Sequence, residues 1–148
     1  MAKAGLALNA DDEGLYRSML NGALPKWGGS PAQVNRVVGE VARLTRVLHG
    51  DIFYARMYAW AADWDFQHRL FADSAVSWPR MKAGFQQQLQ RYPAPVNVNS
   101  YTYFACLARD RETLRELLER IGARPDLGAW GSNGARTYET CKRWAAET

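Results

Sequence analysis

Ser30-Pro31-Ala32-Gln33-Val34-Asn35-Arg36-Val37-Val38-Gly39-Glu40-Val41-Ala42-Arg43-Leu44-Thr45-Arg46-Val47-Leu48-His49-Gly50 decides the fold of this chain. Its first residues spell a helix start. Serine accepts at the N-cap, proline suits the first helical position, where its missing N–H costs nothing, and glutamine stands at the N3 position of a capping box. Val34, Val37, Val38, Val41, Leu44 and Leu48 then return at the i, i+3, i+4, i+7 spacing that puts side chains on one helix face. Arg36, Glu40 and Arg43 share the opposite, polar face. The pattern predicts an amphipathic helix to about His49, stopped by Gly50.

Working outward, the same two signals, caps and a 3.6-residue period, recur along the chain. Asp51 is placed to cap a segment from Ile52 to about Trp64, apolar on nearly every side, with Ala55, Ala59 and Ala62 allowing a neighbour close: a bundle-centre helix. Asp65 opens a short piece carrying Phe66, Leu70 and Phe71. Ser77-Trp78-Pro79 starts a helix with Met81, Phe85, Leu89 and Tyr92 on one side, closed by Tyr92-Pro93-Ala94-Pro95. Asn97 or Asn99 caps a helix from about Ser100 to Arg109, and Asp110 caps one carrying Leu114, Leu117, Leu118 and Ile121, ended by Gly122. Residues 123–136 form a long loop anchored by Trp130, and a last helix spans about Thr137 to Ala146. Upstream, Asp11 to Ala23 predicts an opening helix. No stretch alternates β-branched or aromatic residues with polar ones over five positions, so the expected fold is all-α, with six or seven helices.

Composition fits one soluble helical domain over 1–148: 47% hydrophobic and 23% charged residues exclude a disordered chain, and two cysteines supply no disulfide framework or zinc-finger spacing. Cys106 and Cys141 are expected to be reduced, buried thiols. The first nine residues lack a secretory h-region, and Arg56, Asp63 and Asp65 interrupt the most hydrophobic region, so the expectation is a cytoplasmic chain with no membrane span. The net charge is +4, and 15 of the 19 basic residues are arginine, which suits bidentate contacts with carboxylate or phosphate. They lie singly among acids, however, as on a solvated mixed-charge surface.

Tyr58-Ala59-Trp60-Ala61-Ala62-Asp63 and Phe104-Ala105-Cys106-Leu107-Ala108-Arg109 echo one another at an offset of 46, a period compatible with helical-hairpin repeats. Leu24-Pro25-Lys26-Trp27-Gly28-Gly29-Ser30, Tyr54-Ala55-Arg56-Met57-Tyr58, Trp78-Pro79-Arg80-Met81-Lys82-Ala83-Gly84-Phe85, Arg91-Tyr92-Pro93 and Phe104-Ala105-Cys106-Leu107-Ala108-Arg109-Asp110 are more distinctive. Over about residues 6 to 130 they resemble a bacterial domain-of-unknown-function family related to tetratricopeptide-like helical repeats. That resemblance implies stacked antiparallel hairpins, with this chain a short member or the C-terminal part of a longer array. It implies no catalytic residue.

For function, the residues point to a non-enzymatic module that binds a protein or peptide in a groove between hairpins, with no cofactor and no metal. The candidate contacts are Trp27 as an aromatic anchor, Arg36 and Arg43 two turns apart on one helix face, and Tyr54, Arg56 and Tyr58 along a groove. Each has a plainer reading. Trp27 can fold back on the helix start, the arginines can be solvated, and the tyrosines can be core. Two alternatives stand beside this one. A basic nucleic-acid binder would stack bases on Tyr54, Tyr58, Tyr101 and Tyr103. An enzyme would use Asp65 and His68, three residues apart, and would require both side chains to converge in one pocket; His49, Asp51 and Asp63 complete the acid-imidazole cluster.

Overall fold

Four of the described helices begin on a side chain that caps them. Asp12 accepts a hydrogen bond from the Leu15 amide at 3.1 Å, Ser30 from Gln33 at 3.1 Å, Ser77 from Arg80 at 3.4 Å and Asp110 from Thr113 at 3.2 Å. Each such cap is worth about 1 kcal/mol. The structure is a computed structural model that describes residues 12–148, and Asp11 of the expected opening helix lies outside those residues. The helices are α1 (Glu13–Ala23), α2 (Pro31–His49), α3 (Ile52–Ala61), a single turn α4 (Leu70–Asp73), α5 (Trp78–Arg91), α6 (Pro95–Leu107), α7 (Arg111–Ile121) and α8 (Gly134–Ala146). Among the described residues there is no strand, and no helix is long and apolar enough to cross a membrane. The fold is all-α. By packing, the chain falls into two compact units, divided between Gln87 and Gln88 within α5.

In the first unit α1, α2 and α3 pack against one another. α1 buries Tyr16 and Leu20, α2 buries Val34, Val38, Val41, Ala42 and Thr45, and the Tyr16 ring meets Phe53 of α3 edge-on at 5.3 Å between ring centres. α3 is the central element, as its sequence demands: Ile52 to Ala55, Met57, Tyr58 and Ala61 are all buried. Only Gly50 and Asp51 separate α2 from α3, so two helices that pack together must run antiparallel. Gly84 of α5 lies so close to the start of α3 that a Cβ there would stand 2.1 Å from the Asp51 carbonyl oxygen, a contact only glycine permits.

Asp51 is not the cap its position suggests. Its carboxylate accepts from Arg80 Nε at 3.2 Å and its amide donates to Gln87 at 2.7 Å, so α5 takes both groups. The reciprocal half of the α2 capping box is also absent, because the Ser30 amide donates to the Ala23 carbonyl instead. Leu48, expected inside, is more than half exposed in the last turn of α2. Beyond Ala61 the α-helix widens into a π-helical turn, Ala62–Phe66, followed by the 3₁₀ turn Gln67–Arg69.

In the second unit α6 packs along α7, and α8 packs against α7. α6 starts at Pro95 rather than Ser100, because Pro95 occupies the first helical position behind an extended Ala94. The asparagines expected as caps serve elsewhere. Asn97 donates to the Tyr92 carbonyl, while buried Asn99 accepts from the Asp126 amide at 3.0 Å and the Trp130 indole at 2.9 Å and donates to Pro95 at 2.9 Å. One amide thereby ties the connection after α7 to α6, and Trp130 is fully buried, the anchor its sequence predicts. α8 begins at Gly134, three residues before the expected start.

Cys106 of α6 and Cys141 of α8 form a disulfide with Cα atoms 6.0 Å apart, which replaces the expected pair of reduced thiols. Beside it, Arg109 and Arg111 lie over the Trp144 indole at 4.3 and 4.4 Å from the ring centre, and Arg115 donates to the Ala145 and Glu147 carbonyls. These arginines fasten the end of α8, where its last carbonyls need donors.

Candidate binding site

The link between α1 and α2 is a rigid platform. Pro25 starts a 3₁₀ turn, Pro25–Trp27, closed by Trp27 N–H donating to the Leu24 carbonyl and Gly28 N–H to Pro25, each at 3.0 Å. Gly28 follows at φ 90°, a left-handed backbone that favours glycine. A Cβ on Gly29 would stand 1.9 Å from the Ala23 carbonyl oxygen, so position 29 admits no other residue without rearrangement. A second set of bonds comes from the π-helical turn: the Lys26 amide donates to Asp65 Oδ2 at 3.0 Å and Lys26 Nζ to the Trp64 carbonyl at 2.5 Å. Asp65 therefore serves this platform rather than capping a helix. The π turn itself is braced by Arg17 of α1, whose guanidinium lies 4.9 Å from the Trp60 ring and 5.4 Å from Trp64.

Trp27 stands on this platform with 65% of its surface exposed. It does not fold back on the helix start. Lys26 Nζ lies 5.6 Å over its ring, the position a cationic ligand group would take.

Next to the platform is a cleft of about 450 Å³, lined by Pro25 and Pro31 together with Asp65 to Arg69 and Asp73. The volume suits a small ligand or a few residues of peptide. Gln67 lines it at φ 54°, a left-handed conformation costly for a residue with a Cβ. Asp65 and His68 thus share one cleft, as the enzyme alternative requires. Yet the Asp65 carboxylate is engaged by Lys26, and among the described residues no hydrogen bond joins it to His68. Arg69 is held by Asp73 in a bidentate pair, at 2.8 and 3.1 Å, whose hydrogen bonds keep the Asp73 carboxyl below the usual range and raise the Arg69 guanidinium. No group of three His, Cys, Asp or Glu among the described residues could hold a metal ion.

The remaining candidates fall in different places. Arg36 and Arg43 are exposed on the outward face of α2, and Arg43 pairs with Glu40 at 2.8 Å, which raises its pKa. Tyr54 and Tyr58 lie in the core, 3% and 0% exposed, and each hydroxyl is hydrogen-bonded: Tyr54 Oη accepts from the Ser77 amide and Tyr58 Oη donates to Asn35 Oδ1. Burial raises both phenol pKa values, Tyr58 strongly. Tyr101 and Tyr103 are buried as well, so none of these four rings offers a stacking face to a base. Arg56 is half-buried, bonded to Glu13 and lying over Phe53. It braces α1 on α3.

The sequence singled out Trp27, Asp65 and His68 but did not show that Asp65 and His68 share a cleft beside the Trp27 turn. The π turn brings Asp65 and Phe66, with Gln67 to Arg69 after it, to Pro25 and Pro31, and such a turn leaves no mark on hydrophobic periodicity. Fold and site together define an all-α protein with an exposed tryptophan on a fixed turn and an adjoining cleft. No family model, curated protein or solved structure matches the chain.

Proposed function

We propose that this chain is a non-enzymatic helical module that binds a peptide or a segment of another protein, with Trp27 and the adjoining cleft as its contact surface. The observation that carries this reading is the exposure of Trp27 on a turn fixed by six hydrogen bonds. An indole held in place before binding loses little entropy on contact, and such aromatic anchors dominate interface energetics. The antiparallel pair α2 and α3, of the kind that stacked hairpins require, supports the same reading. The test is selection of a displayed random-peptide library on the protein. Enriched peptides are expected to lose about 30-fold or more in affinity on Trp27→Ala, a hot-spot loss of about 2 kcal/mol, with Tm unchanged. Binders indifferent to Trp27→Ala would refute it.

The disulfide supports an oxidising compartment as the place of action, in contrast to the cytoplasm expected from the amino-terminal sequence. Both half-cystines are buried, and such bonds persist where thiols are not kept reduced. Alkylation of protein taken unreduced from its source is expected to find no free thiol. Two alkylated cysteines would restore the cytoplasmic reading.

A further inference from the structure

The outward face of α2 offers a second candidate surface. Opposite its buried valines, Ala32, Arg36, Gly39, Glu40, Arg43 and Val47 fall on one stripe by helical spacing. Val47 at its end is 96% exposed, an apolar side chain with almost no contact to its own protein. Gly39 at its middle is open: a Cβ there would meet nothing within 4 Å. Glycine inside a helix weakens it relative to alanine, and no contact among the described residues repays that loss. A notch without a side chain is, however, what lets a second helix approach a backbone closely.

Charge says which helix. Arg36 and, at the stripe's edge, Arg46 have no ion-pair partner among the described residues, and Glu40 faces Arg43 within the stripe. The face is therefore net positive along a helix of 19 residues, about 28 Å long. We propose that an acidic amphipathic helix of a partner protein docks along α2, crossing at Gly39, with carboxylates opposite Arg36 and Arg43 and an apolar residue against Val47. This deepens the peptide-binding reading and rests on it, naming the chemistry of the partner and extending the contact surface from the Trp27 turn, which immediately precedes α2.

The probe is a displayed library of two-to-three-heptad helical peptides randomised on one face, selected on the intact protein. Acidic sequences are expected to be enriched. Their affinity should fall about 30-fold or more on Arg36→Glu with Arg43→Glu, and about tenfold or more on Gly39→Leu. Gly39→Ala gives the distinguishing signature, since it should raise Tm by about 2–5 °C while weakening the selected helix, a combination a merely structural glycine cannot produce. No enrichment, enrichment of basic or neutral helices, or acidic binders insensitive to all three changes would overturn the proposal. Binders weakened by Trp27→Ala alone would overturn it while leaving the peptide-binding reading intact.

Discussion

Breaking the bond between Cys106 and Cys141 should loosen the second unit and spare the first. The bridge closes a loop of 35 residues, which on chain-entropy reasoning removes about 13 cal/mol/K from the unfolded state, or about 4 kcal/mol at 25 °C. A unit of about 60 residues has a total stability of only about 3–9 kcal/mol, so that loss takes away about two fifths of it or more. The perturbation is Cys106→Ala with Cys141→Ala, chosen because each leaves a small apolar side chain where the buried sulfur lay. The assay is hydrogen exchange read by mass spectrometry on peptides covering α2, α6 and α8. Protection in α6 and α8 should drop by about a thousandfold, the factor that 4 kcal/mol implies, whereas α2 should be unchanged. If α8 keeps its protection to within tenfold, the arginines over Trp144 and the Asn99 network hold it, and the entropic reasoning is wrong.

Gly29→Ala should cost about 2–3 kcal/mol, because the new methyl displaces the Ala23 carbonyl and with it the amide bonds of Gly29 and Ser30 that close the platform. Urea unfolding checks it; a change below about 0.5 kcal/mol would mean that the turn is soft and Trp27 is not preorganised. The exposed pair of Arg69 and Asp73 makes a small pH-dependent contribution. Since the folded carboxyl lies below its ordinary value, the contribution is complete above about pH 4 and fades as pH falls through the folded value. Asp73→Asn should flatten that acid limb at low salt, with the difference vanishing in about 1 M salt. A salt-independent difference would point to something other than the ion pair.

The helices were legible in the sequence wherever a local signal also does the local job. Ser30 and Asp110 cap as written, Gly50 and Gly122 end helices at positive φ, and the valine stripe of α2 is buried. Expectation failed where a residue suited to local work is claimed by a distant one. Asp51 answers to Arg80 and Gln87, Asp65 to Lys26, and Asn99 to Asp126 and Trp130, all separated by 27 residues or more. The cysteines belong to this group, because a separation of 35 carries no motif. For the site, the glycines after Trp27 were visible but compatible with either a buried or an exposed indole. What separates the two is the anchoring of Lys26 by Asp65 and Trp64, 39 and 38 residues away, which no local pattern records.

The turn from Ala62 to Phe66 gives this corner of the molecule a tolerance of chain length that the helix before it lacks. A π turn closes its hydrogen bonds one residue later than an α turn, so it stores one extra residue in about one turn of helix. A chain one residue shorter at exposed Asp63 would relax to ordinary α geometry and keep Phe66 to Asp73 in nearly the same register, so the residues lining the cleft would stay together. The same deletion inside α3 has no stored residue to draw on, and would turn everything after it by about 100° about the helix axis. Between otherwise similar sequences, an alignment gap within 62–66 is therefore compatible with the same cleft, whereas one within α3 is not.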